Sequence, residues 1–501
     1  MIATSYNPDV LSCLANLSND EVFTPPNVVN DMLDLLPVEL WSNPKATFLD
    51  PVSKTGVFLR EIAKRLMAGL ADQFPDEQER ANHIFKNQIY GIAITELTSL
   101  LSRRSVYCSK KANHEKYSLC NDFGDEQGNI RYERLNHTWD NGKCMYCGGS
   151  EEVYGREDEL ETYAYNFIHL ENPLSLFNTI ENTMKFDVIV GNPPYQLNDG
   201  GGTGSSAKPI YHLFIQQAQK LKPRYLTMIV PARWFSGGKG LDEFRSKMIQ
   251  DKSIRKLVDY ADSRDCFPGV DISGGVCYFL WDRDNPGVCD VETVRKGKIT
   301  YSTRLLDEFE SFVRDNQAVD IINKVKSKSK DFLDTIVSSR MPFGLTSSVR
   351  PEKKGEYNLI SSGGNGKIGK EKITSGHHLI DKWKVLLSKA SNDHGGQPDK
   401  EGRRKIFSRI EVMEPGTVCT ESYLVVGSYD TEVEAKNMQL FLSTKFCKFL
   451  VGALLLTQNI TKSKFAFVPS LPMDRKWEDE DLYQYYKLDN EEIAFIEELI
   501  R

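Results

Sequence analysis

The chain has 501 residues and a mass of 57.0 kDa, with 40% hydrophobic and 27% charged side chains. That composition excludes disordered, collagen-like and low-complexity classes, and the length predicts two to four domains. The net charge of −7 argues at first against a polyanionic partner.

The N-terminus, Met1 to Asn7, lacks the basic and apolar blocks of a signal peptide. The longest apolar run, Phe449 to Leu456, is too short to span a membrane. Both features predict a soluble, cytoplasmic chain. From residue 21 to about 300, strand-like and helical patterns alternate as in a doubly wound α/β sheet. Ala46–Leu49 reads as a strand, followed by a helix Val57–Leu70 with apolar residues at 58, 59, 62, 63, 66 and 70. Ile89–Ile94 is the next strand, and a helix runs through Leu97, Leu100 and Leu101. Phe186–Val190, Leu226–Val230, Ile254–Tyr260 and Gly275–Trp281 read as strands, with Tyr211–Leu221 as a helix among them.

A polar segment rich in Gly, Asn and Cys interrupts this alternation over residues 103–160 and reads as an insertion. Within it, His137-Thr138-Trp139-Asp140-Asn141-Gly142-Lys143-Cys144 predicts a hairpin with an Asn-Gly turn, pairing Trp139 with Cys144. Cys144-x-x-Cys147-Gly148 has the spacing of a zinc knuckle. Cys108, His137, Cys144 and Cys147 form the expected ligand set for a structural zinc, with Cys120 as a substitute for Cys108 or His137.

After Arg283 the pattern changes, which places a domain boundary at about residue 290. The stretch Val291–Ile410 carries 24 Lys/Arg against 15 Asp/Glu, whereas Leu471–Arg501 carries 10 acidic against 4 basic residues. A basic block in an acidic chain fits a phosphate-facing surface. Arg403, Arg404, Lys405, Lys324, Lys326, Lys328 and Lys330 are its candidate contacts. Pro398-Asp399-Lys400-Glu401 sits in a polar turn and does not read as a nuclease core.

Two motifs carry the chemistry. Phe186-Asp187-Val188-Ile189-Val190-Gly191 leads a buried strand into Asn192-Pro193-Pro194-Tyr195, at the carboxyl edge where such sheets bind ligands. Two prolines stiffen the loop, and neither supplies a backbone donor. The Asn192 side-chain oxygen and the Pro193 carbonyl can then accept both protons of one planar amine. That interaction draws the nitrogen lone pair out of conjugation and makes it nucleophilic, while Tyr195 offers a stacking face. Upstream, Asp50-Pro51-Val52-Ser53-Lys54-Thr55-Gly56 joins a strand to a helix. Gly56 permits close backbone approach there, and the helix N-terminus favours an anion.

In this order the two motifs resemble the N6-adenine-specific DNA methyltransferases of bacterial restriction–modification systems. The branch is the one with cofactor motifs first, Asn-Pro-Pro-Tyr next and a target-recognition domain last. The resemblance implies a Rossmann-like S-adenosylmethionine-dependent methyltransferase sheet over 1–290, with an inserted zinc-knuckle-like subdomain at 103–160. It also implies a C-terminal α+β recognition domain over 291–501. It assigns Phe23, Thr24 and Pro25 to the segment over the cofactor's methionine group, and Asp50, Pro51 and Gly56 to the cofactor loop. Phe267, in Cys266-Phe267-Pro268-Gly269-Val270, is assigned to pack against a flipped base. Glu171 and Asn172 have the better spacing for the cofactor-adenine side, against Asp122 within the insertion. The family's ribose-binding acid falls on Ala93, leaving Glu96 one turn later as a substitute. Double-stranded DNA, a separate endonuclease chain and no membrane are the partners implied, since the chain begins almost at the cofactor motif. The same loop also serves RNA and protein-glutamine amino-methyltransferases, and the altered cofactor loop leaves open a non-catalytic DNA-binding subunit.

Overall fold

The computed structural model describes residues 22–155, 161–177, 184–197, 207–238, 240–295, 297–391, 403–455 and 459–501. The expectations for residues 1–7 and for 398–401 lie outside them. The chain divides into two compact units, Met1–Glu308 and Phe309–Arg501.

The first unit is built on a nine-stranded sheet. Its strands are β1 (Phe48–Ser53), β2 (Ile89–Ala93), β3 (Ile130–Arg131), β6 (Val188–Gly191), β9 (Tyr225–Pro231), β10 (Ile254–Tyr260), β11 (Val276–Asp282), β12 (Cys289–Arg295) and β13 (Lys298–Arg304). Two-residue ribbons supply β4 (Trp139–Asp140) with β5 (Lys143–Cys144), and β7 (Gln196–Leu197) with β8 (Lys208–Pro209). The order across the large sheet is β13-β12-β10-β11-β9-β6-β1-β2-β3. From β3 to β9 every pairing is parallel, and β11 then runs antiparallel to both of its neighbours. The strand order therefore reverses between β1 and β6, where an open α/β sheet leaves a crevice beyond its carboxyl ends. Both sequence motifs emerge at that reversal.

The expected strands and helices are present, with shifted ends. The helix expected after β1 is Val57–Gly69 and buries Phe58, Leu59, Ile62, Ala63 and Leu66, the face its apolar spacing defines. The helix expected after β2, Glu96–Tyr107, turns differently from its leucine pattern. Leu97 is exposed, and Thr98, Ser99, Ser102 and Val106 face inward. Close packing forces this choice. A Cβ built on Gly56 would stand 2.9 Å from the Ser102 carbonyl oxygen, so the helix lies against the cofactor loop through small residues.

The boundary expected at 290 moves to Glu308/Phe309, because β12 and β13 extend the first unit's sheet instead of opening the second unit. The second unit holds two three-stranded sheets over 357–429, and its helices include Asn316–Lys328, Glu432–Ser443, Lys445–Leu454, Asp479–Tyr486 and Asn490–Leu499. It is α+β, as expected. Its basic block is partly spent internally. Lys324 pairs with Glu492 at 2.6 Å, Lys328 bonds to the Tyr485 carbonyl, and buried Arg404 lies 3.3 Å from Asp315. These three are therefore architectural. Lys330, Arg403 and Lys405 reach the surface, as does Lys326, whose ammonium lies over the Phe309 and Phe467 rings. Among the described residues no helix is long and apolar enough to cross a membrane.

Candidate active site

The register Phe48↔Val188 and Leu49↔Ile189 brings the ends of β1 and β6 side by side. Asp50 and Gly191 consequently touch, and a Cβ on Gly191 would lie 2.7 Å from Val52 Cγ2 and 3.1 Å from Asp50 Oδ1. A small cleft opens here, lined by Phe23, Thr24, Asp50, Lys54, Gly56 and Asn192 among others. Five residues expected at the site from distant parts of the sequence thus converge on it. Pro25 precedes the helix Pro26–Leu33, and Pro51 lies in β1 behind the cleft, so both flank it without lining it.

The loop's shape follows from Gly56, whose φ of +73° ends the turn and starts the helix at Val57. Asp50 Oδ1 accepts from the Val52 N–H at 3.1 Å. Burial pushes the Asp50 carboxyl up to about 7, against the opposing pull of its hydrogen bonds and of Lys54. Ser53 and Ser102 share a hydrogen bond at 2.9 Å, which ties the loop to the following helix.

The Asn192 amide is oriented by its surroundings. Its Nδ2 donates to the Val22 carbonyl at 2.9 Å and to Thr24 Oγ1 at 3.0 Å. A carbonyl can only accept, so the amide cannot be flipped without losing that bond. Its Oδ1 is left buried with no partner among the described residues. No donor there addresses the Pro193 carbonyl either. A buried acceptor without a donor is costly and rare, and Asn192 Oδ1 with the Pro193 carbonyl on the next residue leaves two acceptors open to a donor group. Pro194 is buried in the same loop, and Tyr195 and Phe267 belong to one buried apolar cluster. Ser263 pins the Phe267 turn, accepting from Phe267 N at 2.7 Å and donating to the Val270 carbonyl at 2.9 Å.

Lys54 escaped the sequence reading as a site residue, and so did the backbone carbonyl of Val22, which heads the N-terminal motif Val22-Phe23-Thr24-Pro25-Pro26. Val22 offers its carbonyl to both Asn192 and buried Lys54, whose Nζ donates to it at 3.1 Å. One backbone oxygen therefore couples the N-terminal segment, the cofactor loop and the amide-binding loop. The departure of Val52–Thr55 from the family pattern was the available signal for Lys54.

Several expectations do not converge on the cleft. Glu171 is exposed, and Asn172 Oδ1 accepts from the Leu174 N–H at 3.2 Å, so this pair starts a turn and does not line the cleft. Asp122 is paired with Lys86 at the surface. Ala93 is buried at the end of β2, and Glu96 is exposed in the first turn of its helix. In the insertion the hairpin forms with the expected register, Trp139↔Cys144. His137, Cys144 and Cys147 come together there, but Cys108 does not join them. Cys108 ends the helix Glu96–Tyr107 in a left-handed conformation with φ of +61° and is exposed; His169 occupies the fourth place.

A doubly wound sheet with an amine-accepting Asn-Pro-Pro-Tyr loop at its reversal point defines the amino-methyltransferase class. The description of the Eco57I restriction-modification methylase family matches residues 87–267. An "Uncharacterized adenine-specific methylase" of Mycoplasma pneumoniae (strain ATCC 29342 / M129 / Subtype 1) is 40% identical over 316 residues, covering 58% of this chain and 74% of that relative. The chain belongs to the adenine-specific methylase family of this relative, which implies S-adenosylmethionine as the methyl donor. Solved structures are more distant. The modification subunit of a putative type I restriction enzyme from Vibrio vulnificus YJ016 is 16% identical, with a TM-score of 0.34 over 58% of this chain and 51% of that one. A nuclease-deletion mutant of the Type ISP enzyme LlaGI is 12% identical, with a TM-score of 0.46 over 90% of this chain and 46% of that one. The chain spans about half the length of these solved chains.

Proposed function

We propose that this chain methylates the exocyclic N6 amine of an adenine flipped out of double-stranded DNA, as the modification component of a restriction–modification system. The observation that carries the reading is the locked Asn192 amide, whose buried Oδ1 lacks a donor beside the Pro193 carbonyl. S-adenosylmethionine, when bound, supplies a methyl group on a positively charged sulfur. The cleft fits such a group: it has a helix N-terminus behind Gly56, a buried carboxyl at Asp50 and an N-terminal segment over it at Phe23 and Thr24.

The protein's own contribution is positioning. Asn192 Oδ1 and the Pro193 carbonyl accept the two amine protons and aim the nitrogen lone pair at the methyl carbon. With S-adenosylmethionine bound, the N–C bond would form as the S–C bond breaks, the electron pair staying on sulfur. The methylated amine then gives its extra proton to solvent. Tyr195 and Phe267 hold the flipped base, and preorganised geometry and electrostatics supply the acceleration. We assign target recognition to the second unit, with exposed Lys326, Lys330, Arg403 and Lys405 as phosphate contacts. Its sequence-reading side chains are separate from these. A structural zinc in the insertion belongs to the same reading, and a separate endonuclease chain is the expected partner.

The test is transfer of a labelled methyl group from S-adenosylmethionine to unmethylated plasmid DNA, with bulk RNA and cell protein in parallel. Label recovered as N6-methyladenine is the expected result. Label on N4 of cytosine, or on RNA or protein alone, would overturn the substrate while leaving the loop chemistry intact.

A further inference from the structure

His137, Cys144, Cys147 and His169 offer ligand atoms that all lie within 4.8 Å of one another, and all four residues are buried. The two cysteines are placed by the hairpin. Asn141 and Gly142 both take positive φ, as a tight two-residue turn demands, and Cys144 follows on β5. Between the cysteines the chain folds into a knuckle, with the Gly148 N–H donating to the Cys144 carbonyl at 2.8 Å. The Gly149 N–H points at Cys147 Sγ at 3.4 Å.

The imidazoles carry the argument further. His137 Nε2 lies 2.7 Å from the Thr162 carbonyl, and His169 Nδ1 lies 3.0 Å from the Tyr165 carbonyl. A carbonyl oxygen accepts only, so each of those ring nitrogens carries the proton. In the neutral imidazole the other nitrogen of each ring presents a lone pair. His137 Nδ1 faces Cys147 Sγ at 3.6 Å, and His169 Nε2 is buried with no partner among the described residues. Metal-bound histidines characteristically donate their second ring N–H to a backbone carbonyl or carboxylate, which fixes tautomer and orientation. Both histidines here are prepared in that way, and both point their lone pairs at a pair of thiols.

We propose that these four residues form a closed Cys₂His₂ zinc site, with His169 as the ligand that ties the inserted hairpin to the segment leading into the catalytic strand. The proposal rests on the zinc reading given above and adds the fourth ligand and the site's purpose. Four protein ligands leave no position open for chemistry, so the metal is structural. Its effect reaches the active loop. A Cβ built on Gly148 would collide with the Lys208 ammonium, so the knuckle lies against β8. Lys208 in turn pairs with Leu197 on β7, two residues after Tyr195. The metal therefore braces the ribbon that continues the Asn192–Tyr195 loop.

The experiment is metal analysis of the purified full chain by mass spectrometry, alongside the variants His169→Ala, His169→Cys and Cys108→Ser. About one zinc per chain is expected in the parent, in Cys108→Ser and in His169→Cys, with at least a tenfold loss in His169→Ala. His169→Cys keeps the test decisive if His169→Ala fails to fold, because a thiolate restores the fourth ligand. Chelation should also speed hydrogen exchange at Tyr195–Leu197 and at Lys208. A folded parent that holds no zinc and takes up none on titration would overturn the zinc reading itself. Full zinc in His169→Ala together with loss in Cys108→Ser would overturn only the ligand set. Unchanged exchange on chelation would overturn the bracing role. None of these readouts depends on methyl transfer, so the methyltransferase reading stands or falls separately.

Discussion

Two buried polar side chains, one in each unit, are satisfied differently. In the second unit the ammonium of Lys384, which has no exposed surface, donates to three carbonyls: Ile380 at 3.2 Å, Lys382 at 2.9 Å and Glu414 at 3.4 Å. Lys324 and Arg404 likewise face carboxylates of their own unit. In the first unit, Asn192 spends both of its donors on the protein and leaves its acceptor empty. Polar groups are buried only at a cost, and the cost is offset when partners are present. Lys384 is matched internally and serves architecture, whereas Asn192, held rigidly in the lining of the cleft with its acceptor unmatched, has the geometry that the proposed amine ligand needs.

The strongest way to break this contrast is to remove the unmatched acceptor. Asn192→Ala should lower methyl-transfer turnover by about 10²–10³-fold, the scale found when one preorganised hydrogen-bonding group is lost from a reacting centre. Cofactor affinity measured by calorimetry should stay within a few-fold of the parent. Equal losses in both quantities would make Asn192 a cofactor-binding residue instead. The matched group should show the reverse pattern. Lys384→Met leaves three carbonyls without their donor and should cost about 2–4 kcal/mol of stability in the second unit. Cofactor affinity, again by calorimetry, should not move.

The same contrast explains what the sequence could and could not disclose. Asn192–Tyr195, Asp50 and Gly56 are legible because short, stiff loops at strand ends fix their own geometry, and the sheet then places them. The hairpin at 139–144 is legible because Asn141-Gly142 sets its register locally. His169 was not legible. It lies 22 residues beyond Cys147, outside the cysteine window, and joins the cluster only through the packing of the short helix Asn166–His169. Glu171 and Asn172 were misplaced for a related reason: their distance from Phe186 along the chain resembled the family's, but Asn172 is used to start the turn at Pro173–Phe177. Charge was the least legible feature. Counting Lys and Arg along 291–410 treats every cation as available, and the acidic helices at 479–499 neutralise Lys324 by folding against it.

Asp50 sharpens the comparison through pH. Its carboxyl is buried and pushed up to about 7, so at neutral pH it is poised between its two forms. A cationic ligand beside it favours the ionised form, and ligand binding should then release a proton. Affinity for S-adenosylmethionine should accordingly rise with pH, by up to about fivefold between pH 6 and pH 7, and level off above about pH 8. In Asp50→Asn the profile should be flat across that window, because the titrating group is gone. Calorimetry in buffers of different ionisation heat counts the released proton directly. A parent protein with no pH dependence between 6 and 7 would place the cofactor's charge away from Asp50.

The smallest effect separates free from occupied cations in the second unit. Each lysine that neutralises a phosphate contributes about 0.9 to the slope of log affinity against log salt concentration. Lys330 is exposed, whereas Lys324 already sits 2.6 Å from Glu492. Lys330→Ala should therefore weaken DNA binding a few-fold at low salt and reduce the slope by about one. Lys324→Ala should leave the slope unchanged, because removing it discards a cation that a carboxylate already neutralises. Fluorescence titrations of a labelled duplex at several salt concentrations would measure both slopes. If Lys324→Ala changes the slope as much as Lys330→Ala, the ion pair with Glu492 opens on binding. The acidic helix would then act as a competitor that DNA displaces, in place of a permanent counterweight.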